Sequence, residues 1–183
     1  MNDPEKQADY IGCYNSFDKN MVNHIPNKLP DNQIEYGFAS PKYIDEYNNS
    51  AYIYLVTINS KSDYIKLKSK LLVDVKYSIN GNDNCFLPIG TFNDKLVAKY
   101  DTLNCNNFYP VPSEAIYKHT NDTVINKIKN CQVVIKECKS GIFLNRKNLK
   151  KNENLPEEWN NGFSKGFTFI DNERKIIYWV IIW

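Results

Sequence analysis

The sequence predicts a single α+β domain, built mostly on an antiparallel sheet, with two or three short helices and a C-terminal β-hairpin that ends in a buried strand. Its 183 residues suit one domain. Aromatic residues make up 14% of the chain, and Tyr and Phe favour half-buried pleated surfaces. Strand-like runs and short helical patterns are mixed without a regular βαβ rhythm. We expect residues 10–183 to form this domain and residues 1–9 to be a flexible N-terminal tether.

The C-terminal segment gives the clearest strand signal. Residues 176–183 are eight apolar residues in succession, far fewer than the roughly 20 that cross a bilayer. Such a run fits a strand that is buried on both faces of a sheet. With residues 163–170 it forms the predicted hairpin, around a turn at 171–174. Further strands are expected at residues 10–17, 51–58, 72–79, 85–89, 94–100 and 131–138.

Helices are predicted where a capping residue precedes a helical apolar pattern. Ser40 before Pro41 predicts a short helix that runs to residue 47. Residues 60–72 are ambiguous, because Tyr64 and Leu71 share a helical face while the odd-numbered apolar residues also fit a strand. We expect a helix from Ser60 to about residue 70. A further helix is expected at residues 122–130, one helical turn after Pro156, and a loop with two prolines at residues 101–113.

Charge argues against a nucleic-acid partner. The formal net charge is +2 and the pI is about 8.1, whereas nucleic-acid binders usually carry a basic stripe or a much higher pI. The one dense basic run is RKNLKK at residues 146–151. We interpret it as a solvated loop or helix face, with a phosphate contact as the alternative.

Five cysteines limit the covalent possibilities. They include no C-x-x-C pair, so a structural zinc site is not expected. Cys131 and Cys138 stand at the ends of a predicted strand about 23 Å long, and disulfide Cα atoms lie only about 4.4–6.8 Å apart, so these two cannot pair. A disulfide between Cys85 and Cys105 is more plausible and leaves Cys13 as the odd thiol. The alternative is that all five are reduced and mostly buried.

The N-terminal nine residues are polar and precede the first apolar residues. They are typical of the tether that follows an acylated Cys in bacterial lipoproteins, with Met1 standing where that Cys would be. On this hypothesis the protein is lipid-anchored in the periplasm or at the outer membrane. The alternative is a frayed N-terminus of a cytoplasmic protein.

A string near the C-terminus carries a resemblance. The pattern L-P-x-x-W-x-x-G-[aromatic]-S-K-G at residues 155–166, followed by I-I-Y-W-x-I-I-W at 176–183, resembles uncharacterised exported proteins of Bacteroidales-type gut bacteria. Many of those proteins are lipoproteins, and the His24-Ile25-Pro26 segment fits the same group. The resemblance covers about a quarter of the chain. It implies export and a shared fold, and it implies no reaction type or site residue.

Catalytic residues are hard to find in this sequence. The sharpest enzyme hypothesis is a hydrolase with Cys13 as nucleophile and His24 or His119 as base. The alternative is that Cys13 is a packed thiol and each His a lone polar group of a loop. No recognisable nucleophile context surrounds Cys13.

Acidic residues do not form a persuasive site either. Glu157 and Glu158 are adjacent, as are Asp45 and Glu46, so the side chains of each pair diverge instead of facing one another. The Asn-Asp-Asn run at residues 82–84 lacks the further ligands of a calcium loop. We therefore expect no metal and no cofactor.

An aromatic platform is the most promising site. Trp159, Phe163 and Tyr109 could form it, with Lys165 and His24 as polar contacts for a sugar or a peptide. The alternative is that Trp159 folds back and covers one end of the hairpin. The sequence therefore favours a non-catalytic cell-envelope protein that binds a protein or a glycan. An immunity-type lipoprotein that neutralises a bacterial toxin is a special case, and the Cys/His hydrolase is the alternative.

Overall fold

A computed structural model describes residues 3–44, 50–73, 75–80, 85–90, 105, 107–113, 131–145 and 155–183. Its main feature is a six-stranded antiparallel sheet with the strand order β1-β2-β8-β7-β6-β3, next to a parallel pair, β4-β5. The strands are β1 Gln33–Ala39, β2 Ala51–Ile58, β3 Tyr77–Asn80, β4 Phe86–Ile89, β5 Tyr109–Pro112, β6 Cys131–Ser140, β7 Gly162–Ile170 and β8 Lys175–Ile182. The described α-helices are α1 Pro4–Tyr14, α2 Lys19–Val22 and α3 Lys61–Leu71. The predicted single α+β domain is confirmed.

The C-terminal hairpin forms the centre of this sheet. β8 pairs with β2 on one side and with β7 on the other. Its residues alternate between two apolar clusters, since Tyr178 and Val180 pack with the helices while Ile177 and Trp179 pack under the β4-β5 pair. The prediction of a strand buried on both faces is therefore confirmed, and the absence of a polar face follows from helices on one side and strands on the other.

Helix α1 replaces a predicted strand. The side chain of Asp3 accepts a hydrogen bond from the Glu5 amide, and Pro4 stands in the first turn, so the chain is helical where a tether was expected. The strand predicted at residues 10–17 is wrong. Tyr10, Cys13 and Phe17 recur at helical spacing and are buried together against the sheet.

The other predicted helices and strands are confirmed in part. The helix predicted from Ser60 is confirmed as α3, with the Ser60 hydroxyl accepting from the Asp63 amide at 3.2 Å. The helix predicted after Ser40 is a single 3₁₀ turn, Pro41–Tyr43, because Ile44 is already extended. The strand predicted at residues 72–79 is wrong in its first half, because Leu72 caps α3 and β3 starts only at Tyr77. The strand at 94–100 and the helix at 122–130 lie outside the described residues.

The β4-β5 pair covers the face of the sheet opposite the helices. β5 was missed, because Pro110 and Pro112 suggested a loop. A strand with two prolines is possible here because the pairing of β5 in the described structure is with β4 alone, as in an edge strand. Just before β4, a disulfide joins Cys85 to Cys105 with 5.4 Å between the Cα atoms, so the possible pairing is formed and the alternative of five reduced cysteines is not.

Candidate functional site

The structure does not assemble the predicted aromatic platform. Phe163 is 4% exposed and lies on the helix-covered face, with its ring 4.7 Å from that of Phe143. Trp159 lies on the other face with its ring 6.1 Å from Trp183, whose Nε1 donates to the Trp159 carbonyl at 2.8 Å. Trp159 therefore folds back over the end of the sheet, which was the alternative interpretation. The Tyr109 ring lies edge-on to the Tyr77 ring, with 5.2 Å between the ring centres, and contacts neither Trp159 nor Phe163.

Lys165 is buried beneath α2 instead of facing a ligand. Its Nζ donates to the Asn20 carbonyl and lies 3.0 Å from a Glu137 carboxylate oxygen. Hydrogen bonding from Lys139, opposed by partial burial and helped by Lys165, lowers the pKa of Glu137. These contacts attach α2 to the sheet, so the role of Lys165 in this structure is to hold the fold together.

His24 also belongs to the packing between the helices and the sheet. Its Nε2 lies 2.9 Å from the Trp179 carbonyl, and its ring meets Phe167 edge-on at 5.4 Å. Burial lowers the pKa of His24 to about 3, despite the hydrogen bond to Trp179. The imidazole is therefore neutral near pH 7, with Nε2 donating to the carbonyl.

The hydrolase hypothesis requires an activated thiolate at Cys13, and the structure does not provide one. Cys13 is 5% exposed, and burial raises its pKa to about 11, away from the values of reactive cysteines. Burial likewise raises the pKa of Cys131, to about 12. His119, the other base considered, lies outside the described residues, as do the pair Asp45 and Glu46 and the run 82–84. Glu157 and Glu158 are exposed in a 3₁₀ turn.

A groove between α3 and the turn of the β7–β8 hairpin is a candidate site formed entirely by residues that the structure describes. It has a volume of about 550 Å³ and is lined by one face of α3 and by the residues of the turn. The two parts are joined by Tyr64, whose hydroxyl donates to Asp171 at 2.5 Å and whose ring packs on Phe169. We call this site the α3 groove.

Positive charge exceeds negative charge in the α3 groove. Lys61, Lys68 and Arg174 line it, and Asp171 is the one carboxylate among the lining residues. Lys68 Nζ lies 2.6 Å from the Asp171 carboxylate and 5.3 Å from the centre of the Phe169 ring. Partial burial raises the pKa of Asp171, but hydrogen bonds from Lys68 and Tyr64 outweigh this and leave the pKa below its usual value.

Apolar side chains complete the groove. Ile65 is 56% exposed on α3, and Leu72 is half-buried at the end of that helix. Ile65 is one of six large hydrophobic residues that are exposed in the described part of the chain, and in the groove it lies beside cations. The arrangement can bind a ligand that carries an anionic group next to an apolar group.

Arg174 reaches the groove from a strained position. It ends the 3₁₀ turn Asp171–Glu173 with a φ of 53°, in the left-handed region. Residues other than Gly, Asn and Asp pay about 1–2 kcal/mol for that conformation. The Asn59 amide donates to the Arg174 carbonyl at 3.1 Å and fixes this backbone. A glycine or an asparagine would adopt this conformation with less strain, so Arg at this residue costs stability.

Sequence reasoning missed the α3 groove. The contact between Tyr64 and Asp171 joins residues 107 apart in the chain, which no local pattern reveals. Two signals could have indicated it. Ile65 stands among lysines on the polar side of a predicted helix, and an Arg occupies the last position of a tight hairpin turn.

Comparisons of the chain with protein-family models, with curated proteins and with solved structures give no match. Within the described residues, no three His, Cys, Asp or Glu side chains come close enough together to hold a metal ion. None of the described helices combines the length and the hydropathy needed to span a membrane. The geometry of the α3 groove is therefore the main guide to function.

Proposed function

We propose that this protein is a non-catalytic binding protein of the cell envelope and that it binds a protein partner in the α3 groove. The observation that carries the proposal is the combination in one groove of the exposed Ile65 with the cations Lys61, Lys68 and Arg174. An apolar centre with a polar, solvent-accessible rim is a common arrangement of protein–protein interfaces.

A protein ligand fits the groove better than a glycan. Proteins commonly bind a sugar ring against the exposed, apolar face of an aromatic side chain. The aromatic residue that lines the groove, Tyr64, is only 6% exposed, and its hydroxyl is already bonded to Asp171. Trp159 and Phe163, the aromatic residues first expected to bind a sugar, pack on opposite faces of the sheet.

Export is supported by the disulfide between Cys85 and Cys105, because disulfides persist in oxidising compartments such as the periplasm. The resemblance to exported proteins of Bacteroidales-type bacteria agrees with it. A lipid anchor that precedes the domain would hold the protein at the envelope, in the periplasm or at the outer membrane. We place its partner in the same compartment.

Toxin neutralisation is a special case of the proposed function. An immunity-type inhibitor requires a protein partner and a rigid contact surface but no catalytic group. The hydrolase alternative is less well supported, because the pKa of the Cys13 thiol is raised and not lowered.

The proposal is tested by affinity capture from an envelope extract of the source organism, with the native protein and two single variants as baits. Ile65→Glu puts a charge on the apolar part of the groove. Ile142→Glu is the matched control, because Ile142 is 51% exposed, against 56% for Ile65, and follows β6 at the opposite end of the sheet. We expect a partner that is retained by the native protein and by the Ile142 variant and lost by the Ile65 variant. Equal retention by all three baits, or by none, would contradict the proposed site.

A further inference from the structure

We infer that the partner bound in the α3 groove presents an acidic segment, in which one or more carboxylates flank an apolar side chain, and that Asp171 acts as a built-in competitor for that segment. This inference rests on the proposed function and names the chemistry of its ligand. Three features of the groove carry it: two cations without an ion-pair partner among the described residues, the position occupied by the Asp171 carboxylate, and the left-handed backbone of Arg174.

Two of the three cations in the groove are available to a ligand. Lys68 is paired with Asp171, but neither Lys61 nor Arg174 has an ion-pair partner in the described part of the chain. Both stand at the border of an apolar surface formed by Ile65 and Leu72. A carboxylate next to an aliphatic side chain would satisfy both kinds of surface at once, which an uncharged or a basic segment could not.

Asp171 shows where a carboxylate fits in this groove. One of its oxygens accepts from the Tyr64 hydroxyl at 2.5 Å and from Lys68 at 2.6 Å. The Asp171 side chain is nevertheless 63% exposed at the groove, so its negative charge faces any incoming ligand. It therefore orders Lys68 but repels an acidic segment, and removal of its charge should tighten binding.

Arg174 supplies the geometry for a second carboxylate. Its guanidinium offers a planar set of donors that matches a carboxylate in a bidentate pair, which the ammonium of Lys cannot do. The left-handed backbone at Arg174 is one that Gly or Asn would adopt with less strain. Strained residues are concentrated at binding and active sites, where the side chain is needed in one direction.

The test uses random linear peptides displayed on phage and selected on the native, full-length protein at low salt. We expect the selected peptides to be rich in Glu and Asp next to Leu, Ile or Phe. Their affinities are then measured by fluorescence anisotropy for the native protein and for four variants: Lys61→Glu, Lys66→Glu, Ile65→Glu and Asp171→Asn.

Lys61→Glu and Lys66→Glu are a matched pair. Both exchange one exposed lysine of α3 for glutamate, but Lys61 lines the groove and Lys66 does not. Glutamate at residue 61 also suits the positive end of the helix, so the variant should fold. We expect Lys61→Glu to weaken binding about fivefold and Lys66→Glu by less than about twofold. Asp171→Asn keeps an oxygen for Tyr64 and should tighten binding about threefold.

Other outcomes separate this inference from the proposed function. If the selected peptides lack acidic residues but bind the Ile65→Glu variant more weakly than the native protein, the inference is overturned and the groove remains a protein-binding site. Peptides that are unaffected by Ile65→Glu would overturn both. Equal binding by the Lys61 and Lys66 variants would contradict the role of the groove charge. Displacement of the peptides by a single-stranded DNA oligonucleotide would show a general polyanion site and overturn the inference as well.

Discussion

The strands of the C-terminal hairpin and its turn differ in almost every physical respect, although they are adjacent in the chain. All nine residues of β7 are buried, whereas Asp171 and Asn172 of the turn are exposed. The strands contact other strands on both sides and apolar clusters on both faces. The turn contacts α3 through two polar bonds to one carboxylate.

This difference separates architecture from function within one hairpin. The burial of β8 gives the stability that a domain of this size requires, and it leaves the strand no surface for a partner. The turn contributes little to stability and includes one strained residue, Arg174. Substitutions in the strands should therefore affect folding first, and substitutions in the turn should affect binding first.

Removal of residues 179–183 should have the largest effect. These residues are at most 6% exposed, and they include Trp179, Val180 and Trp183. The loss of one large core side chain costs about 2–5 kcal/mol, against a total stability of about 5–15 kcal/mol. We expect the truncated chain to show no cooperative thermal transition by circular dichroism. A soluble truncated protein with an unchanged melt would show that the end of β8 is peripheral.

Gly166→Ala tests how closely the strands are packed. A Cβ at this residue of β7 would lie 1.9 Å from the Val134 carbonyl oxygen and 2.8 Å from the Trp179 ring. Because backbone would have to move, we expect a loss of about 2–3 kcal/mol. Gly12→Ala is the control, since nothing lies within 4 Å of its Cβ position. In the exposed part of α1, alanine should raise stability by up to about 1 kcal/mol. Urea unfolding of both variants measures the contrast, and equal effects would contradict it.

The neutral His24 should make the protein sensitive to acid. Its folded pKa of about 3 lies below the unfolded value of 6.5, so the unfolded chain binds the proton first. This contribution is complete above pH 6.5 and is lost progressively as the pH falls toward 3, by at most about 5 kcal/mol in total.

The His24→Gln variant isolates that effect. Its side-chain amide can still donate to the Trp179 carbonyl, but it does not titrate. Urea unfolding free energies at a series of pH values should fall less steeply below pH 6.5 for the variant than for the native protein. Parallel pH profiles would show that His24 is not buried as a neutral group.

The smallest effect on stability is expected at Arg174. In Arg174→Asn, a residue that tolerates the left-handed conformation replaces one that does not. We expect thermal stability to rise by about 0.5–1 kcal/mol while the affinity for acidic peptides falls. This opposition is expected of a strained functional residue. A loss of stability would contradict the strain at Arg174, and an unchanged affinity would show that Arg174 has no role in binding.

Local patterns in the sequence predicted the elements that depend on nearest neighbours. The apolar run of β8 and the Ser60 cap of α3 are examples, since burial and capping act over a few residues. The strand predicted at residues 10–17 failed because its apolar residues also fit a helix, and the cap at Asp3 decided between them. β5 failed because prolines are tolerated in an edge strand, and edge position depends on the whole topology.

The candidate site was beyond local patterns for a related reason. The predicted platform used aromatic residues that are close in sequence, but Trp159 and Phe163 point to opposite faces of the sheet. The α3 groove requires that a helix after β2 and a turn before β8 become neighbours. That proximity follows from the pairing of β2 with β8, in which Ile58 meets Lys175.

The most direct test of this account is hydrogen–deuterium exchange of the native protein with and without a saturating acidic peptide obtained by selection. The amides of β7 and β8 should be protected in both states, because they are paired within the buried sheet. We predict that binding adds protection to α3 and to the residues of the turn, 171–174, and to no other described segment. New protection confined to the β4-β5 pair or to the α1 region, with α3 and the turn unchanged, would contradict the assignment of the α3 groove as the binding site.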